Sequence, residues 1–294
     1  MIYSIRLTIK HCYDQPAANG RHLIRVLPTT LPGRQYLKMH LLDITPEPYG
    51  RSESTDFFGN SIFTCTHRDP HRDMKIRLDC RVEVKEPAVW NDRSPRVTQV
   101  CNAWKASTDL SDGSPLHFLG PTARLAPDPA IEDFARGVSM PHLSTMATVV
   151  QLGQAIYDRM TFDDTATTVD TDASEAFRLQ RGVCQDFTHI MILGLQALGI
   201  PAGYVSGYLR TIPPEGGVRL EGVDAMHAWV RAWCGPDQGW IEYDPTNATL
   251  VGADHIVVGY GRDYTDVSPV RGHLRSSGGQ TNSQAVDVEP LHRA

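Results

Sequence analysis

The sequence predicts an α+β protein: an all-β domain over residues 1–88, then a core over 89–294 in which a cysteine-bearing helix packs on an antiparallel sheet. Three observations predict it. Residues 1–86 keep the period-2 alternation of strands. The stretch "EPAVWNDRSPR" (86–96), with two prolines and no periodicity, interrupts that pattern. Helical spacings follow and then give way to four strand-like runs. With 294 residues, 41% hydrophobic and 21% charged, the chain can build two cores of ordinary size.

In "MIYSIRLTIK", Tyr3, Ile5, Leu7 and Ile9 share one face of a first strand. "RHLIRVLP" and "QYLKMHLLDI" read as the next strands, and "FFGNSIF" puts Gly-Asn at a hairpin tip. Ile76, Leu78, Cys80, Val82 and Val84 then alternate on a later strand. Past the break, "STMATVVQLGQAIYDRMTF" offers Ser144 as an N-cap and Met146, Val149, Val150, Ile156 and Tyr157 at helical intervals. "DDTATTVDTD" ends that helix. Asp172 and Glu175 can form a capping box for "ASEAFRLQ", with Gly182 as its stop. Cys184 comes next, in or just before the first turn of a helix carrying Phe187, Ile190, Met191, Leu195 and Leu198 up to "GIPAG". "GYVSGYLR", "MHAWVRAWC", "GWIEYD" and "HIVVGY", joined by turns such as "PPEGG" and "CGPDQG", should pair as the sheet beneath this helix. The tail is expected to begin as a loop and end in one more strand around Ala285 to Val288.

Composition excludes several functions. A net charge of −6 with scattered basic residues leaves no footprint for nucleic acid. The N-terminus lacks the apolar stretch and cleavage site of a secretion signal, and the apolar run at 190–205 is interrupted by Gln196, Gly199 and Pro201. No membrane association is expected. Six cysteines, at positions 12, 65, 80, 101, 184 and 234, form no CxxC pair, which points to a reducing cytoplasm. The sequence carries no indication of oligomeric state.

Cys184 stands at the positive end of a helix, where the dipole favours a thiolate. His227 begins a strand, a rigid mounting for a general base, and shares a face with Trp229, Arg231 and Trp233. Asp244 emerges where the next strand stops, ahead of Pro245. Each has a plainer explanation: a small core residue, a satisfied histidine, a turn-starting aspartate. Together they supply nucleophile, base and orienter.

Other clusters are weaker. "CTHRDPH" groups Cys65, His67 and His71, but on a hairpin exit with no fourth ligand nearby, so a solvated loop is expected. "DDTATTVDTD" lacks the ordered ligands and glycine of a calcium loop. No metal site is assigned.

"RGVCQDFTH", "LGIPAGYVSGYL", "MHAWVRAW", "GWIEYDPTN" and "GRDYTDVSPVRG", in this order, resemble the core of the bacterial transglutaminase-like cysteine protease family, and the β-rich first hundred residues resemble its N-terminal domain. The resemblance implies a papain-like core with a Cys184, His227, Asp244 triad, thiol-based acyl chemistry on an amide bond of a peptide or protein substrate, and no cofactor. Calcium dependence is not carried over from animal transglutaminases. One departure is Gly203, where similar sequences have arginine; it bears on local packing or a substrate contact.

An acyl-enzyme needs an oxyanion hole. The Cys184 backbone N–H is the natural first donor, with Gln185 or Gln180 as candidates for the second. Asp186, in the first helical turn, reads as structural. In "GYGRDYTD", Tyr260, Arg262, Asp263 and Tyr264 either line the cleft or form an ordinary loop. The expectation is a cytoplasmic cysteine hydrolase that cleaves a peptide or isopeptide-type amide through a thioester. The alternatives are transfer to an amine, with Glu221 and Asp224 attracting the cation, or a peptide-binding module without turnover.

Overall fold

The computed structural model describes residues 1–86, 91–211 and 225–291. Its first sheet is organised by β1 (Ile2–Ile24), a 23-residue strand. The others that follow it are β2 (Gln35–Thr45), β3 (Gly50–Thr55), β4 (Ser61–His67) and β5 (His71–Val84). Then come α1 (Val97–Lys105), α2 (Pro129–Val138), α3 (Thr145–Arg159), β6 (Thr161–Phe162), α4 (Ala173–Leu179), β7 (Arg181–Gly182) and α5 (Cys184–Ala197). The second sheet uses β8 (Ala202–Leu209), β9 (Ala225–Trp233), β10 (Trp240–Asp244), β11 (Thr249–Leu250) and β12 (His255–Gly261). A short α6 (Tyr264–Val267), β13 (Val270–Arg275) and β14 (Gln280–Leu291) close the chain. Among the described residues no helix is long and apolar enough to cross a membrane.

β1 changes partners along its length. Its first half lies between β5 and β14, Ile5 opposite both Cys80 and Val288; its second half lies between β4 and β13, His22 opposite both Cys65 and Gly272. The expected division at residue 88 therefore fails for the tail, because β13 and β14 pair with β1 instead of joining the core. Apolar pattern explains it: Val286 and Val288 are fully buried, against the same face as Ile5 and Leu7.

The second sheet has the order β11-β10-β9-β8-β12, antiparallel throughout. The four runs read from sequence are four of its five strands. Helix α5 is buried along nearly its whole length against β8 and β9, with α2, α3 and α4 around it. Ser144 caps α3 by accepting the Ala147 N–H. Asp172 is the N-cap residue of α4 but its side chain makes no capping bond, and the helix ends at Gln180, in the left-handed region at φ 53°, ahead of Gly182.

The exposed edge of β12 would invite pairing with another chain. The first domain covers it with side-chain amides. Gln35 exchanges hydrogen bonds with both backbone groups of Val257 (2.8 and 2.9 Å), and Asn60 does the same with Tyr260 (2.7 and 2.8 Å). Arg34 reaches further, pairing through both guanidinium arms with buried Glu242 on β10.

Candidate active site

Cys184 is the first residue of α5, so its N–H is one of the four that no intrahelical carbonyl accepts. Asp186 fixes that helix start: its Oδ2 accepts the Val183 N–H (2.8 Å) and the Thr167 hydroxyl (2.7 Å). Its role is structural, as its position in the first turn suggested. Burial pushes its carboxyl above the ordinary value, opposed by those two donors.

His227 projects from β9 with its Nε2 2.7 Å from Asp244 Oδ2, leaving the other ring nitrogen for a hydrogen bond with Cys184. Burial disfavours the charged ring, but neighbouring Cys184 and the bond to Asp244 outweigh it and raise His227 to about 10. The three residues singled out from sequence are thus in contact as a chain.

Asp244 divides its two oxygens between two tasks. Oδ1 accepts the N–H groups of Thr246 (2.9 Å) and Asn247 (3.2 Å), closing the turn that Asp-Pro starts. Oδ2 accepts from His227, from Asn247 Nδ2 (2.7 Å) and from His255 Nε2 (3.1 Å). "DPTN" is therefore a self-contained clamp in which the turn holds the carboxylate and Asn247 steadies the oxygen facing His227. Asp244 is fully buried, which favours the neutral acid, yet these donors hold its carboxyl far below the ordinary range.

Sequence reasoning missed His255, Trp229 as a contact, and Tyr204. His255, at the start of β12, has its other nitrogen 3.5 Å from the Gly252 N–H. Trp229 lies edge-on to His255 (5.2 Å between ring centres) and donates its indole N–H to Glu242 (2.7 Å). It crosses the neighbouring strand at Gly207, where a Cβ would stand 2.3 Å from the indole. Arg34, Glu242 and Trp229 so connect the first domain to the floor of the site. Tyr204 is buried against His189 and Tyr264, and burial keeps its hydroxyl protonated. The alternation that grouped His227 with Trp229 was the one signal for Trp229. Nothing in the local sequence marks His255 or Tyr204.

The remaining candidates scatter. Gln185 is buried with its Nε2 donated to the Val169 carbonyl (3.1 Å), and the Gln180 side chain is exposed behind α4. Tyr264 packs on Tyr204, and its N–H donates to His189 Nε2 (3.3 Å). Tyr260 donates to Glu242 (3.0 Å), Asp263 caps α6, and Arg262 pairs with Asp266 in a surface groove with Phe57 and His117. Glu221 and Asp224 lie outside the described residues. At Gly203 a Cβ would stand 2.6 Å from the Phe118 ring, so Phe118 fills the space a side chain would need. Arg231, directly opposite on β9, lies over Phe118, Trp240 and Tyr260.

A helix-borne cysteine facing a histidine on an antiparallel sheet, with an aspartate behind it, defines a papain-like core of the transglutaminase type. The comparisons agree. Residues 132–245 match the model of the transglutaminase-like superfamily, and residues 3–83 that of the bacterial transglutaminase-like N-terminal region. An uncharacterized protein of Mycobacterium tuberculosis is 38% identical over 88% of this chain and 83% of its own; one of Mycobacterium leprae is 30% identical over 96% of each. The structure of a candidate cysteine protease from Cytophaga hutchinsonii superposes with a TM-score of 0.76 at 19% identity, covering all of this chain and 92% of the other. This chain belongs to the transglutaminase-like superfamily.

Proposed function

We propose that the protein is a cysteine hydrolase that cleaves a peptide or isopeptide-type amide through a thioester on Cys184. The observation that carries this reading is His227 held between Asp244 and Cys184. His227 takes the thiol proton, and the Cys184 sulfur attacks the amide carbonyl. The oxyanion is met by the Cys184 N–H at the positive end of α5; Gln185 would add a second donor on leaving Val169. His227 then gives its proton to the departing amine. For the second half-reaction it deprotonates a water that attacks the thioester and releases the acid and free Cys184. Asp244 stays ionised throughout and holds the imidazole in position. Tyr264, beside Tyr204, would line the acyl side of the cleft. Six free cysteines fit a reducing compartment, and we place the enzyme in the cytoplasm.

The test is intact-mass detection of an acyl adduct after incubation with a varied peptide pool. An adduct on Cys184, lost in Cys184→Ala, supports the reading; no adduct in any pool would sink it. Adding a large excess of a lysine-like amine separates the two second steps. Free acid as the main product means hydrolysis, and amide means transfer.

A further inference from the structure

A second histidine cluster lies in the first domain, far along the chain from the first. His22 on β1 stands directly opposite Cys65 on β4, so their side chains share a face, and His67 is the next residue of β4 on that face. One ligand-type atom from each of these three buried residues lies within 4.8 Å of the other two. His71, at the start of β5, brings its ring centre to 5.0 Å from that of His67.

The hydrogen bonds of these rings are arranged in one sense. His67 Nε2 donates to the Pro46 carbonyl (2.8 Å) and His71 Nδ1 to the Asp69 carbonyl (3.0 Å). Those acceptors fix the tautomers, so that His67 Nδ1 and His71 Nε2 carry lone pairs. Both of these atoms, and His22 Nδ1, are buried without a hydrogen-bond partner. His22 and His67 are each only 3% exposed, and Cys65 not at all. A buried polar atom left unpaired is costly, and three in one place call for a shared explanation. Backbone carbonyls behind the far ring nitrogens are what orients histidines that bind a metal. The backbone also makes room: His22 lies across Gly272 on β13, where a Cβ would stand 2.4 Å from its ring.

We propose that Cys65, His22 and His67, with His71 as fourth ligand, form a binding site for a zinc-class divalent transition metal. One sulfur and three imidazole nitrogens are a tetrahedral donor set suited to that ion. Cys65 binds as the thiolate, its proton passing to solvent. The hairpin exit that lacked a fourth ligand in the sequence gains one from β1, a strand more than forty residues earlier. The site ties β1 to β4 and β5 where β1 changes partners, so its role is structural.

The test strips the full-length chain with a chelator and titrates it with Co²⁺ while reading the absorption spectrum. One Co²⁺ per chain is expected, with tetrahedral bands in the visible and a thiolate charge-transfer band in the near ultraviolet, both displaced by Zn²⁺. Cys65→Ser and His22→Gln should remove the charge-transfer band or weaken binding at least about 100-fold, and His71→Ala about tenfold. Cys184→Ser should change nothing. Zn²⁺ should raise the melting temperature of the wild type and not of Cys65→Ser, which separates lost binding from lost folding. Failure of the wild type to bind Co²⁺ would overturn the proposal. So would a spectrum that survives Cys65→Ser but vanishes in Cys184→Ser, which would put the ion beside Asp244.

Discussion

Two buried histidine clusters occupy the two halves of this molecule, and they differ in what satisfies them. Around Asp244, both nitrogens of His227 and of His255 have protein partners, and the carboxylate oxygens accept five hydrogen bonds between them. Around Cys65, one ring nitrogen each of His22, His67 and His71 is buried without a partner. In the first cluster the chain completes its own electrostatics, and the one exposed product of that arrangement is the partly accessible Cys184. In the second, the tautomers of His67 and His71 are set, but no described group of the chain donates to their remaining ring nitrogens. Both clusters are buried, so it is whether the ring nitrogens turned toward the cluster find protein partners that separates a proton-handling cluster from an ion-holding one.

The comparison breaks most decisively if the paired cluster does not carry the chemistry. Asp244→Asn is expected to lower kcat/KM by about 10⁴-fold while circular dichroism stays unchanged, because it spoils the tautomer and charge that His227 needs. Near-normal turnover would reduce Asp244 to the closing residue of its turn.

A smaller effect tests whether the paired cluster depends on the first domain. Arg34→Ala leaves Glu242 buried without its counter-charge, and since Arg34 is one-third exposed the loss should sit near the low end of the roughly 3–5 kcal/mol for broken buried pairs. Denaturant melts should show it, with the slope unchanged. A loss below about 1 kcal/mol would mean that Trp229 and Tyr260 satisfy Glu242 unaided.

Thiol reactivity sharpens the contrast next. Brief, substoichiometric iodoacetamide at neutral pH should label Cys184 about tenfold faster than Cys12, although Cys12 is the exposed one, because a hydrogen bond with Asp73 pushes the Cys12 thiol up. Burial holds Cys65 up at about 11 and Cys80 at about 12, so neither should react in the folded chain. Peptide mapping decides it.

The pH response should be the mildest. His227 is raised from its ordinary 6.5 to about 10, so the stability it contributes is complete below 6.5 and drains away as pH climbs toward 10. Its ring proton resonances should titrate with a midpoint well above 6.5, and Cys184→Ala should bring the midpoint down, since burial then loses its strongest opponent. A midpoint that Cys184→Ala leaves in place would show that Asp244 alone charges the ring.

Much of this was legible in the sequence for physical reasons. Cys184, His227 and Asp244 each sit at a boundary that local rules locate: a helix start, a strand start, an Asp-Pro turn. Strands β8, β9, β10 and β12 announce themselves by apolar runs between turn residues. His255 was hidden because its contact with Asp244 depends on how residues 245–254 return over the sheet, which no periodicity records. His22 was hidden by register: its place opposite Cys65 is set by the hairpins between them. The tail misled for a related reason, since alternation in β14 reveals a strand but not its partner.

Ile2 pairs with Leu291 and Tyr13 with Gln280, so one side of β1 finds its neighbour only in β14, far later in the chain. On the ribosome, one side of β1 must wait with bare N–H and C=O groups while the entire Cys184 core is made and can fold. Such a pairing has a very large sequence separation, and ordering of this kind is slow. Assembly of the first sheet therefore follows synthesis of the Cys184 core, and a product interrupted before residue 280 would carry an adhesive edge.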